Sequence, residues 1–150
     1  MCLDRPVDLE DTLRLTNRGL VAFDLVLGAA AIAAPAATLR ALGHAEPAPD
    51  AAHLFRRCGP IWLTFAAAHL VAERRGEPAD WWALAWLRGT EIGTDALWSA
   101  SPAIARPGAK ASLRLAGLFN LSAALGFAWL AKRERERGTS GLRALASRWG

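Results

Sequence analysis

The sequence predicts an all-α protein: a four-helix transmembrane bundle with antiparallel, up-down-up-down helices and both termini in the cytoplasm. Three observations predict this fold. The apolar residues gather in four runs of about the length that crosses a membrane. The connections between the runs are short, which suits sequential antiparallel neighbours. The basic residues gather at the ends of the runs. The 150 residues therefore predict a single integral membrane domain.

The first two predicted spans cover residues 20–39 and 55–73. The first is twenty residues long and is interrupted only by Asp24 and Pro35. At 1.5 Å per residue, a helix of this length crosses the roughly 30 Å hydrocarbon core of a bilayer. The second has a shorter apolar centre. It reaches the length of a span if its helix begins after a cap at Asp50.

The third and fourth predicted spans cover residues 79–100 and 111–131. The third is apolar apart from three ionisable side chains, and the fourth holds few polar residues. After the fourth span, a basic segment leads into a tail at 140–149 with apolar residues spaced for one helical face. This pattern is typical of a short helix that lies in the headgroup region. A disordered tail is the alternative interpretation.

The basic residues also predict the orientation. Residues 1–19, 73–80 and 132–150 hold eleven of the eighteen Lys and Arg side chains, whereas 40–57 and 101–114 hold six. Cytoplasmic loops carry the excess of Lys and Arg in membrane proteins. Both termini are therefore expected in the cytoplasm.

A soluble helical bundle is the competing interpretation. In the third run, however, Trp82, Trp86 and Leu97 share the face opposite the charged residues, the reverse of what a soluble surface helix shows. The net charge of +4 and the pI of about 10 could indicate nucleic-acid binding. The arginines lie instead where membrane orientation and anionic lipids place them. The predicted partner is the lipid bilayer, with a second copy or another membrane protein as a further partner, and no nucleic acid is expected.

Polar residues inside the runs form the candidate site. Arg88, Glu91 and Asp95 are spaced i, i+3 and i+7, so they share one stripe of the third helix. Ionisable groups inside a membrane normally face the interior of the protein and pair with one another. Each of the other runs also contains a polar residue. The sequence therefore predicts a buried polar cluster, structural or ligand-binding, made of Asp24, His69, Arg88, Glu91, Asp95 and Asn120.

Two interpretations of this cluster remain open at the level of sequence. Arg88 faces three carboxylates, so at least one carboxylate is expected to be protonated or bound to something positive. In the structural interpretation, Arg88 bridges Asp24 and Glu91 and fixes the register of the helices. In the functional interpretation, the cluster holds a proton, a cation or a quinone headgroup. A cavity that reaches Glu91 or Asp95 would favour the second interpretation, and a dry, fully paired Arg88 the first.

Several kinds of chemistry are not expected. The sequence contains no G-x-S-x-G, H-E-x-x-H or Walker motif, and no catalytic residue is predicted. Haem within a membrane usually needs two facing histidines, but only His69 lies within a span. His44 and His53 lie near acidic residues and could bind a metal at the outer surface, but their spacing is non-specific. No metal and no cofactor is predicted, apart from the quinone left open above.

Four segments resemble the DoxX-like group of small four-helix bacterial membrane proteins. They are L-G-A-A-A-I-A-A-P-A-A-T-L-R-A-L-G at the end of the first run, F-R-R-C-G-P at the start of the second, L-R-G-T-E-I-G-T-D-A-L-W in the third and N-L-S-A-A-L in the fourth. The resemblance covers about residues 15–133. It implies a four-helix fold in the bacterial inner (plasma) membrane and, in some members, association with quinone-linked respiratory enzymes. It supplies no catalytic motif.

The leading functional interpretation is a small multi-pass inner-membrane protein with a buried polar cluster, non-enzymatic or accessory in its role. The alternative is a quinone-linked redox subunit or a small transporter coupled to protons or cations.

Overall fold

The chain folds into α-helices throughout the part that the structure describes. The computed structural model describes residues 8–149, with side chains through residue 140. Within that part there is no β-strand, and one isolated backbone bridge joins two loops at His44 and Ile104. The all-α prediction is confirmed for these residues. The six helices are α1 (Leu9–Ala33), α2 (Pro35–Ala41), α3 (Pro49–Arg56), α4 (Gly59–Arg75), α5 (Pro78–Ala100) and α6 (Pro107–Trp149).

The first apolar run forms two helices rather than one. α1 begins at an N-cap, where the Asp8 carboxylate accepts a hydrogen bond of 3.1 Å from the backbone N–H of Glu10. α1 ends at Ala33, and α2 begins at Pro35. Proline has no N–H and its fixed φ suits the first position of a helix, so Pro35 starts a new helix. The predicted span 20–39 therefore contains an elbow.

The second run is also divided. α3 ends at Arg56 and α4 begins at Gly59, with Pro60 in its first turn. α4 ends at Arg75 and is capped by Gly76, whose φ of +66° is the left-handed conformation that glycine adopts at helix ends. The long helix of this region therefore begins four residues later than the predicted span 55–73.

The third and fourth runs each form one continuous helix. α5 covers nearly the same residues as the predicted span 79–100. α6 continues through the predicted span 111–131 and on to Trp149 without a break, so the span and the tail are parts of one helix. The predicted apolar face of the tail lies outside the described side chains.

α1 and α4 form an antiparallel pair. The Asn17 side chain reaches His69 at one point of the pair, and Gly28 meets Gly59 further along. The backbones nearly touch at the two glycines. A Cβ on Gly28 would lie 2.9 Å from the carbonyl oxygen of Gly59, and a Cβ on Gly59 would lie 2.4 Å from Cγ1 of Ile32. Only glycine permits this approach.

α5 and α6 form the second antiparallel pair. The rings of Trp81 and Phe127 stack with centroids 5.8 Å apart, and Asp95 bonds to Asn120 further along the pair. One end of the molecule contains the start of α1, the turn between α4 and α5, and residues 132–140. We call it the basic end. The opposite end, with α2, α3 and the loop 101–106, is the elbow end.

The buried apolar side chains form two clusters, one towards each end. The cluster towards the basic end contains residues of α1, α4, α5 and α6 and so joins the two helix pairs, whereas the cluster towards the elbow end contains residues of α1, α2 and α3. The cluster towards the basic end contains Leu13, Leu20, Ala72, Trp81, Leu84, Ala85, Ala123, Phe127, Leu130 and Ala131. The cluster towards the elbow end contains Ala31, Leu39, Ala52 and Phe55.

Large apolar side chains also cover the outside of the protein. Val26, Trp86 and Leu97 are each at least 70% exposed. By length and composition alone, two described helices could cross a membrane. They are α1 and the part of α6 within Pro107–Ser140.

Candidate functional site

Asp24, His69 and Arg88 meet where α1, α4 and α5 approach one another. Nη2 of Arg88 donates to Oδ2 of Asp24 and lies 2.7 Å from Nε2 of His69, to which Nε of Arg88 also donates at 3.1 Å. The guanidinium also lies over the ring of Phe65, 5.9 Å from its centroid. All three polar side chains are 2% exposed or less. Together with Asn17, they form what we call the closed cluster.

The hydrogen bonds fix the protonation of His69. An arginine side chain can only donate, so Nε2 of His69 accepts from Arg88. Nδ1 then carries the proton and donates to Oδ1 of Asn17 at 2.6 Å. His69 is therefore neutral, and Arg88 with Asp24 forms the ion pair of the closed cluster. Oδ1 of Asp24 is buried without a hydrogen-bond partner among the described residues.

Asn17 extends the closed cluster towards the basic end. Its Nδ2 donates to the His69 carbonyl at 3.2 Å and to Oε2 of Glu73 at 3.3 Å. The other Glu73 oxygen accepts two bonds from Arg18, which is largely exposed. Sequence reasoning omitted Asn17 from the candidate site. It lies seven residues before Asp24 on the same stripe of α1, and that spacing was the signal available.

The remaining predicted residues, Glu91, Asp95 and Asn120, form a separate set that we call the cavity group. Nδ2 of Asn120 donates to Oδ2 of Asp95 at 2.9 Å, and both side chains are buried. Glu91 is half-buried and makes no hydrogen bond or ion pair within the described part of the chain. The ion pair expected between Arg88 and Glu91 is absent there. The guanidinium of Arg88 points to α1 and α4 instead, where His69 is its second partner beside Asp24.

A cavity of about 730 Å³ separates α1 from α5 and α6, and the cavity group lines it. Arg88 also reaches its wall, so the cavity touches the edge of the closed cluster. Most of the other lining side chains are apolar. Pockets that enclose small molecules have volumes of this order and a few polar groups among apolar walls. The six predicted residues thus divide between a packed cluster and a space that can hold a ligand.

The cavity between α1 and α6 is flanked by two contacts that α6 makes, one with α1 and one with the turn after α2. Towards the basic end, Leu13 packs on Gly126, where a Cβ would lie 2.3 Å from Cδ2 of Leu13. At the elbow end, Gly43 adopts a φ of +107° and lies against Ala109, where a Cβ on Gly43 would lie 2.2 Å from that of Ala109. Between these contacts the two helices face each other across the cavity.

Ion pairs join the start of α1 to α6 at the basic end. Glu10 accepts from Arg137 at 2.7 Å and pairs with Arg14 on its own helix, and Arg14 in turn reaches Glu134 at 2.9 Å. The hydrogen bond from Arg137 lowers the pKa of the Glu10 carboxyl below its ordinary value, although partial desolvation opposes this effect. These ion pairs therefore join α1 to α6 beyond the contact between Leu13 and Gly126.

Within the described residues, no group of three or more His, Cys, Asp or Glu side chains is arranged to hold a metal ion. His44 accepts a hydrogen bond of 3.3 Å from Nε1 of Trp98, and His53 is exposed on α3. No family model, curated protein or solved structure matches this chain. The DoxX-like resemblance therefore stays a prediction from the sequence.

Proposed function

We propose that this chain is a multi-pass protein of the bacterial inner membrane, a four-helix transmembrane bundle of the DoxX-like kind with both termini in the cytoplasm. The observation that carries the proposal is the inverted polarity of the fold. Asp24, His69 and Arg88 are buried, whereas Trp86 and Leu97 are 74% and 79% exposed. In water, the burial of ionisable groups and the exposure of large apolar side chains are both unfavourable. In a bilayer, ionisable groups face the interior and apolar side chains face lipid.

The helix lengths support the same proposal. α5 has 23 residues, or about 34 Å at 1.5 Å per residue, which exceeds the roughly 30 Å hydrocarbon core. α4 has 17 residues, the lower limit for a span. α1 and α6 meet the criteria of length and composition. The charged basic end would then lie at the cytoplasmic surface, as the positive-inside rule requires.

Its role, in this proposal, is non-enzymatic or accessory. The closed cluster supports a structural use of the buried charges, because its hydrogen bonds join α1, α4 and α5. The exposed apolar faces of the helices suit lipid, a second copy or another membrane protein.

A second candidate function is the binding of a small ligand, a quinone headgroup or a coupled cation or proton. The cavity favours it, because it reaches Glu91 and Asp95 rather than ending at apolar walls.

Reporter fusions test the membrane proposal. A reporter placed after residue 50 or 105 is expected to be active only outside the cytoplasm, and one placed after residue 77 or 150 only inside it. Each site is tested with two reporters, one that is active only in the cytoplasm and one that is active only outside it. A fusion that is merely inactive is then not taken as evidence of its location. A periplasmic C-terminus, or a chain that remains soluble without detergent, would contradict the four-span proposal.

A further inference from the structure

We propose that the cavity binds a lipophilic monocation, whose charge is held by Glu91 and Asp95 and whose apolar body fills the space between α1 and α6. The proposal rests on the second candidate function above, and it names the class of ligand. It depends on the charges, the hydrogen-bonding groups and the walls of the cavity.

When Glu91 and Asp95 are both ionised, the cavity carries more negative than positive charge. Among the described residues, Arg88 is the only Lys or Arg side chain in the lining, and its charge is already paired with Asp24. Its Nε and Nη2 donors are directed at His69 and Asp24. Neither Glu91 nor Asp95 has a basic partner among the described residues. A bound cation would supply the charge that the protein does not.

Several hydrogen-bond donors in the cavity are already in use, whereas Nε1 of Trp62 and Nη1 of Arg88 make no hydrogen bond among the described residues. Nδ2 of Asn120 donates to Asp95, and Nε1 of Trp98 donates to His44. The hydroxyls of Thr16 and Ser112 donate to backbone carbonyls of their own helices. A quinone headgroup or an anion needs free donors for its oxygens. Besides Nε1 of Trp62 and Nη1 of Arg88, the cavity offers the carboxylate oxygens of Glu91 and Asp95, so its charges favour a cation over an anion.

One available acceptor belongs to a largely buried side chain. The Asp95 side chain is 8% exposed, and its Oδ2 accepts from Asn120. Its Oδ1 has no hydrogen bond within the described part of the chain, and the residue lies in the cavity wall. A positive group that approaches this free oxygen forms a charge-assisted contact with the ionised carboxylate and stabilises it.

The walls define the rest of the ligand. They include aromatic side chains from α1, α4 and α6, namely Phe23, Trp62 and Phe119. Aromatic faces attract cations and pack against apolar groups. A bare metal ion would leave most of the 730 Å³ empty, whereas a cation with a bulky apolar body would fill it. The cavity is therefore suited to an organic cation.

Binding of tetraphenylphosphonium tests the proposal. The purified full-length protein is placed in nanodiscs of zwitterionic lipid, and binding is measured by equilibrium dialysis against empty nanodiscs. Tetraphenylborate, which has nearly the same shape and the opposite charge, is the matched probe. We expect saturable binding of about one phosphonium per chain and no saturable binding of the borate.

Charge-neutral variants locate the site. Glu91→Gln with Asp95→Asn is expected to weaken phosphonium binding about tenfold or more, since a charge pair in a poorly hydrated site is lost. Each single change should have a smaller effect. Glu46→Gln, in an exposed loop at the elbow end, is the control and should bind as the unchanged protein does. Ala116→Phe adds bulk to the cavity wall without changing charge, and it should also weaken binding.

Equal binding of the two probes, or unchanged phosphonium binding in the double variant, would overturn the proposal and leave a lipid chain as the occupant. If the double variant fails to fold, the single variants and Ala116→Phe are used instead, and unchanged phosphonium binding in all of them would overturn the proposal. Failure of the membrane proposal would appear in the reporter fusions instead. In that case the same probes and variants can be compared in buffer without nanodiscs.

Discussion

The closed cluster and the cavity group lie within a few turns of each other on α5, yet they differ in how their charges are satisfied. In the closed cluster, Arg88 meets Asp24 and His69 in a space with almost no exposure. In the cavity group, Asp95 has only the amide of Asn120, and Glu91 has no partner among the described residues. Arg88 is therefore engaged in the first region, and the second region has no cation among the described residues.

This difference shows that a stripe of charged residues on one helix need not act as one unit. The neighbouring helices decide which members are enclosed. α1 and α4 bring Asp24 and His69 up to Arg88, whereas α1 and α6 leave a gap beside Glu91 and Asp95. The closed cluster is therefore expected to control stability, and the cavity group is expected to control binding.

The largest effect is expected for Arg88→Leu. It leaves the carboxylate of Asp24 buried without a cation and Nε2 of His69 without a donor. Removing one partner of a buried ion pair costs on the order of 3–5 kcal/mol in soluble proteins, and less where a membrane also holds the helices. Thermal unfolding in detergent measures the loss.

The matched control is the double variant Asp24→Leu with Arg88→Leu. It removes both charges, so it should recover a large part of the stability lost in Arg88→Leu. Unchanged stability in Arg88→Leu alone would mean that the guanidinium reaches water at an interface and that the closed cluster does not hold the helices.

A smaller effect should separate the two regions directly. Asp24→Asn removes the partner of the buried guanidinium and should lower the free energy of unfolding by about 1–3 kcal/mol. Asp95→Asn keeps an oxygen acceptor for Asn120 and should change it by less than about 1 kcal/mol. Both variants are measured by the same thermal unfolding. Equal losses would remove the distinction between the closed cluster and the cavity group.

The smallest effect concerns the ion pairs at the basic end. The pKa of Glu10 lies below its ordinary value of 4.5, so its stabilising contribution is present above that value and is lost as the pH falls through the lowered pKa. Exposed pairs contribute about 1 kcal/mol or less. The stability difference between the unchanged protein and Glu10→Gln should therefore be small at neutral pH and vanish in acid. A difference that grows in acid would contradict this assignment.

The sequence alone predicted some features of the closed cluster and the cavity group and not others. The i, i+3, i+7 spacing placed Arg88, Glu91 and Asp95 on one stripe, because helical periodicity is a local property. The partner of Arg88 depends on how α1 and α4 lie against α5, and no single helix encodes that. His69 was predicted as a member of the polar cluster, but its neutral, acceptor role follows only from Arg88 on one side and Asn17 on the other.

The helix boundaries were also predictable in part. Pro35 and Pro60 lie in the first turn of α2 and α4, a position that proline favours, yet both lie within apolar runs that suggested unbroken spans. Length and hydropathy describe how much apolar surface a segment carries. They do not show where one helix must end and the next begin. The cavity could not be predicted, since it depends on contacts between α1 and α6 that are distant in sequence.

The contact between Gly28 and Gly59 has a mechanical consequence. Because the two backbones touch there, α1 and α4 cannot slide past each other without a collision of main-chain atoms. We expect this pair to move as one rigid body. Arg88 of α5 bonds to Asp24 and His69 of this body, so any change of angle between the body and α5 would first have to break the closed cluster.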